Sequence, residues 1–189
     1  MTIKSSSLID QAGRLQLRNL IGLTFESLSG ETLPDFLMSP SVTVKAGGQI
    51  VTVFGKTDNC EIPDFEGYAS TLCVEQGSLD DINLHRQSGN VYKQYSGRGI
   101  TGIGIVREDL ESDVSGQVVW QHSADIAIVL ELESGFLAIS KMGQHDEVLR
   151  IQYLKSFEIE DIPKLDSYFE DDIFNTVRSI RSYESLIVQ

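Results

Sequence analysis

Asp125-Ile126-Ala127-Ile128-Val129-Leu130-Glu131-Leu132-Glu133-Ser134-Gly135-Phe136-Leu137-Ala138-Ile139-Ser140-Lys141 is the stretch that decides the fold class. Ile126, Ile128, Leu130 and Leu132 alternate with smaller or charged residues, Glu133-Ser134-Gly135 makes a turn, and Leu137 and Ile139 return. Such period-two alternation on both sides of a glycine turn predicts a β-hairpin covering a core. Residues 41–56 follow the same plan, with Val42, Val44, Ile50, Val51 and Val53 flanking Ala46-Gly47-Gly48. Each hairpin is preceded by an Ile-Gly-led segment, Ile21-Gly22-Leu23-Thr24-Phe25-Glu26 or Ile103-Gly104-Ile105-Val106-Arg107-Glu108, and followed by a short apolar run, 70–74 or 148–154. Order and pattern carry this internal repeat more than identity does, and it predicts two antiparallel β-meander units.

The predicted class is therefore mainly β (α+β), the two units forming a sandwich or partly open barrel with a C-terminal amphipathic helix packed on the sheet. Residues 1–20 form an arm or short helix, with Ser7 as cap and Leu8, Ala12 and Leu15 on one side. Residues 21–80 make the first β unit, 81–101 a connection, 102–160 the second β unit, and 161–189 the C-terminal helix and tail, all within one globular domain. The helix is placed at 168–182 because Phe169, Ile173, Phe174, Val177 and Ile180 recur at three- and four-residue spacing. Ser167 with Glu170 fits a capping box, and Arg178 and Arg181 stand where cations suit a helix C-terminus. Trp120, Phe136, Tyr153 and Phe157 are candidate core aromatics.

A chain of 189 residues can bury a sizeable core without staples. Its two cysteines, Cys60 and Cys73, are expected to be reduced thiols in a cytoplasm, because Ser5-Ser6-Ser7 interrupts the position where a secretory signal would need an apolar run. No stretch approaches the roughly 20 apolar residues that cross a bilayer as a helix. Net charge is −13, from 28 acidic and 15 basic residues. Nucleic acid would be repelled by that field and basic partners attracted, although a negative surface also serves simple solubility.

Gly97-Arg98-Gly99-Ile100-Thr101-Gly102 satisfies a dinucleotide-type glycine pattern, but a strand follows it where a phosphate-binding loop needs a helix. Close strand crossing or a bulge explains the glycines better. Glu111, Asp113 and Ser115 echo a calcium loop, yet His122 stands where the final carboxylate belongs, so a solvated acidic turn between Val106 and Val118 is expected. His85, His122 and His145 show no metal-ligand spacing, and no nucleophile has local support. No cofactor, metal or catalytic residue is assigned on this basis.

The densest charge feature lies at the end of the chain. Glu158, Glu160, Asp161, Asp166, Asp171 and Asp172, with Glu170 among them, are offset only by Lys155 and Lys164. Such a field steers a basic partner on. In composition and hairpin layout the chain resembles the small acidic bacterial proteins that neutralise toxins in the cytoplasm. That resemblance implies a non-catalytic, immunity or inhibitor type of protein binding a basic protein through those six carboxylates. Two other readings stand beside it: a small-molecule-binding or hydrolytic enzyme with a pocket between the units near His122, His145 and residues 58–66, and a structural subunit using exposed strand edges.

Overall fold

A computed structural model describes residues 2–30, 38–59, 68–80, 82–83, 91–92, 97–114, 117–143, 147–165 and 176–187. They are mainly β, in one large, mostly antiparallel sheet that does not close into a barrel. In chain order the elements are β1 (Ile3–Ser7), α1 (Gln11–Arg18), β2 (Thr24–Gly30), β3 (Met38–Ser39), β4 (Ser41–Ala46), β5 (Gln49–Asn59) and β6 (Tyr68–Gln76). There follow β7 (Val91–Tyr92), β8 (Arg98–Val114), β9 (Gln117–Leu132), β10 (Gly135–Lys141), β11 (Leu149–Leu154), a 3-10 turn at Ile159–Asp161, and β12 (Thr176–Leu186).

Two runs of sequential antiparallel neighbours dominate, β2-β4-β5-β6 and β8-β9-β10-β11, joined where Thr24 and Phe25 pair with Gly99 and Arg98. The hairpins read from the alternation are β4-β5 and β9-β10. Gly47 and Gly48, with φ of 53° and 82°, make the first turn. Val42, Val44, Val51, Val53, Leu72 and Val74 from the first run pack against Ile103, Ile105, Ile128, Leu130, Leu137, Ile139 and Ile151 from the second in one buried cluster. A second cluster lies on the other face of the β8-β9-β10 layer, where Trp120, Leu110, Ala124, Val106 and Val129 meet Ile162 and Leu165. Of the four expected core aromatics, Trp120 is fully buried, while Phe136, Tyr153 and Phe157 are partly buried and packed on the clusters.

Three elements differ from the sequence reading. The first turn of α1 is capped by Asp10, whose side chain accepts from Gly13 N–H, and not by Ser7. Ser7 instead ends β1, which pairs parallel with β9. The acidic turn expected between Val106 and Val118 is mostly strand, since β8 runs to Val114. Finally, residues 176–182, expected as the second half of a C-terminal helix, belong to the strand β12; residues 166–175 lie outside the described residues. β12 pairs antiparallel with β8 from Thr176↔Asp113 to Leu186↔Ile103. Val177 and Ile180 satisfied the helical spacing, but contacts on the sheet decide the outcome. Ser179 donates to the buried Glu108, Arg181 donates to the carbonyls of Ile159, Ile162 and Pro163, and Tyr183 lies over Gly104. Tertiary partners override a local helical pattern when every other residue has a place on the sheet.

Gly104, just beyond the glycine-rich run, is a point of close approach. A Cβ added at Gly104 would stand 2.0 Å from Cζ of Tyr183, so only glycine lets that ring lie on the strand. The Tyr183 ring continues into a row with Phe157 and Phe136, at centroid separations of 5.4 and 5.9 Å, and its hydroxyl donates to Glu131 at 2.7 Å. Gly104→Ala is expected to cost about 1–3 kcal/mol by displacing the ring. Urea denaturation of Gly104→Ala, Tyr183→Ala and the double variant checks it. The double variant should be clearly less destabilised than the sum of the two, and additive losses would refute the contact.

Candidate functional site

The site is built on a register shift in the middle of β9. Val106 pairs with Ala127 and Arg107 with Asp125, which leaves Ile126 as an extra residue on β9. A bulge of this kind turns two successive side chains to the same face and reverses the alternation beyond it. Ile126 and Ala127 both belong to the cluster that contains Trp120, whereas Ile128 and Leu130 face the inter-sheet core. Asp125 is thereby carried to the inter-sheet face, at the point where the apolar core ends.

Asp125 is fully buried and accepts three hydrogen bonds. Ile9 N–H donates at 3.0 Å, Arg14 Nη2 at 2.9 Å and Arg107 Nε at 2.9 Å. Arg14 also reaches Glu184 on β12 through Nη1, at 2.8 and 2.9 Å to the two carboxylate oxygens. Burial works against the Arg14 charge, but the hydrogen bonds and charges of Glu184 and Asp125 more than offset it and raise its pKa. α1, which carries Arg14, lies against β6 and β12 and so closes this end of the core.

Beyond the cluster the sheet face is bare of any other described residue. There β1, β9, β8 and β12 line up in register, with Ser6 opposite Ser123, Ser123 opposite Asp109, and Asp109 opposite Ile180. The next row places Lys4, Gln121 and Glu111 side by side. These residues line an open groove of about 460 Å³. Gln121 donates to Glu111, whereas Asp109 and Lys4 form no hydrogen bond or ion pair among the described residues.

The opposite face of the same strands holds buried polar groups that serve the packing. Glu108 accepts from Leu165 N–H at 2.8 Å and from the Ser179 hydroxyl. On neighbouring β10, Lys141 alternates with Leu137 and Ile139 and donates to the Ser70 carbonyl of β6. His122, only 1% exposed, shares a 2.9 Å hydrogen bond between Nδ1 and the Ser5 hydroxyl, which ties β1 to β9. Burial lowers its pKa, the Lys141 charge lowers it further, Asp109 partly opposes, and the result is about 4. The imidazole is therefore neutral at pH 7.

Of the six carboxylates assigned to a partner surface, Glu158 and Glu160 are exposed beside and within the 3-10 turn. Asp161 is half-buried and accepts from Glu158 N–H at 2.8 Å, so it helps to hold the turn. Asp166, Asp171 and Asp172 lie outside the described residues, as does His145. No group of three or more metal-capable side chains occurs among the described residues. No helix among them is long and apolar enough to cross a membrane. Cys73 is a half-buried thiol that donates to the Thr71 carbonyl at 3.7 Å. The Asp125 cluster and the groove escaped sequence reasoning because they bring Lys4, Ser6, Ile9 and Arg14 to β8, β9 and β12, which are remote in sequence; the signal that existed was the charged Asp125 at the head of the apolar run 126–130. No family model, no curated protein and no solved structure matches the chain.

Asp125→Ala, which would leave two arginines facing a vacated buried position, should destabilise the fold by about 3 kcal/mol, with Asp125→Asn intermediate. Chemical denaturation measures this, and a loss below about 1 kcal/mol would show the cluster to be incidental. His122 gives a pH signature. Its folded pKa of about 4 lies below the ordinary 6.5. As pH falls through that window the unfolded chain takes up a proton that the folded one does not, so stability declines, by roughly 3 kcal/mol in all, and this loss is complete near pH 4. Urea midpoints from pH 7 to 4 should fall more steeply for the native protein than for His122→Gln. Parallel curves would contradict the assignment.

Proposed function

We propose that this chain is a non-catalytic acidic binding protein that holds a basic protein partner, in the manner of an immunity or inhibitor protein. The observation that supports this reading is the division of labour among its charges. Buried Asp125, Glu108 and Lys141 are committed to holding layers together, while Glu158 and Glu160 face solvent on a turn that Arg181 anchors through three carbonyls. An anchored acidic turn on a chain of net charge −13 favours a basic partner by long-range attraction before contact. The adjoining Asp166, Asp171 and Asp172 extend the same surface in this proposal. The setting it implies is a bacterial cytoplasm, where Cys73 stays reduced. The shared order of leading strand, hairpin and closing strand in β2-β4-β5-β6 and β8-β9-β10-β11 further supports reading the two meanders as a pseudo-repeat, with the acidic turn following the second.

The immobilised protein, exposed to host extract at low ionic strength and eluted with rising salt, should release one basic protein. Association of that protein, once purified, should slow several-fold at low salt for Glu158→Gln/Glu160→Gln. The difference should vanish near 1 M salt, where the Debye length is about 3 Å. Retention of no basic protein, or a rate indifferent to both substitutions, would refute the reading.

A further inference from the structure

We propose that the groove on the bare face of β1, β9, β8 and β12 is a binding site for a small zwitterion of the α-amino-acid class with an aliphatic side chain. It is independent of the acidic turn, which belongs with the residues packed on the opposite face of the same strands. The groove has two walls of opposite charge. Lys4 stands on β1 and Asp109 on β8, with the β9 lane between them and two residues of offset along the strands, so their backbones are about 12 Å apart at the usual strand spacings. The two charges are not paired with each other or with any other described residue. Glu111, the other acid in the groove, is already engaged by Gln121.

Between the walls the floor offers the hydroxyls of Ser6 and Ser123, which can donate or accept. Ile180, 59% exposed, sits directly beside Asp109 in an otherwise polar row. An ammonium at Asp109, a carboxylate at Lys4 and an aliphatic side chain over Ile180 satisfy every one of these groups with one molecule. The volume of about 460 Å³ falls within the usual range of small-ligand sites. A lone cation would meet Lys4 and a lone anion would meet Asp109, so the opposed walls select for a ligand carrying both charges.

Titration of the isotope-labelled full chain with L-leucine, followed by amide chemical shifts, tests the site. Saturable shifts are expected at Lys4, Ser6, Asp109, Ser123 and Ile180. Leucinamide and N-acetyl-leucine, each lacking one charge, should bind at least about 10-fold more weakly, as should leucine to Lys4→Gln and to Asp109→Asn. Both substitutions lie on the solvent-facing side of their strands, and circular dichroism of either confirms that the fold is kept. No saturable shift up to about 10 mM L-leucine would overturn the proposal. So would leucinamide binding as tightly as leucine, or affinity unchanged in the two variants.

Discussion

A carboxylate with no exposure to water must be met by donors, and Asp125 is met by three, each from a different part of the chain. Ile9 brings the segment after β1, Arg14 brings α1, and Arg107 brings β8. The arginines keep partial contact with solvent, with side chains 16% and 28% exposed, so the cluster is a seam and not an island of charge in the core. On one side of the seam Ile103, Ile105, Ile128 and Leu130 are sealed against the second layer. On the other the same strands continue with Ser123, Asp109, Gln121 and Glu111, and the face is open. The seam therefore decides where the core stops and where a surface able to meet other molecules begins.

The extra residue in β9 makes this possible. The alternation of Ile126, Ile128, Leu130 and Leu132 implies one continuous face, which would send Asp125 to the other side of the strand, with Ala127 and Val129, away from the core that Ile128 and Leu130 face. The bulge places Ile126 beside Ala127 instead and inverts everything before it. Hydrophobic alternation made both hairpins legible, together with their turns and the antiparallel class. It could not reveal the bulge, because a run of apolar residues through Ile126, Ala127 and Ile128 fits either register and only the partner strand chooses.

β12 illustrates the opposite failure. Val177 and Ile180 lie three apart, a spacing that belongs to a helix face, while Val177, Ser179, Arg181 and Tyr183 form a period-two set that only makes sense once their partners are known. Glu108, the carbonyls of residues 159–163 and Gly104 are those partners, and all are remote in sequence. Close strand approach was legible at Gly97, Gly99 and Gly102, two residues short of Gly104, and the group that lies there, Tyr183, could not be named without the sheet. Local periodicity thus identified that an ordered element exists near the C-terminus, but its type was set by what the sheet had left vacant.

The candidate sites divide along the same line. Glu158 and Glu160 were visible because surface charge is a sum over neighbouring residues, and sums survive without coordinates. The groove was invisible because its opposed charges, Lys4 and Asp109, acquire meaning only through pairing β1 to β9 in parallel and β8 to β9 antiparallel. His122 sits between these cases: its own sequence neighbours gave no catalytic or metal-binding spacing, and its place is explained by tethering β1 through Ser5. That tether also holds Lys4 and Ser6 in the groove wall, since neighbouring residues of one strand share its registry while facing opposite sides. The buried imidazole that fixes β1 on one face of the sheet is thus what positions the positive wall on the other.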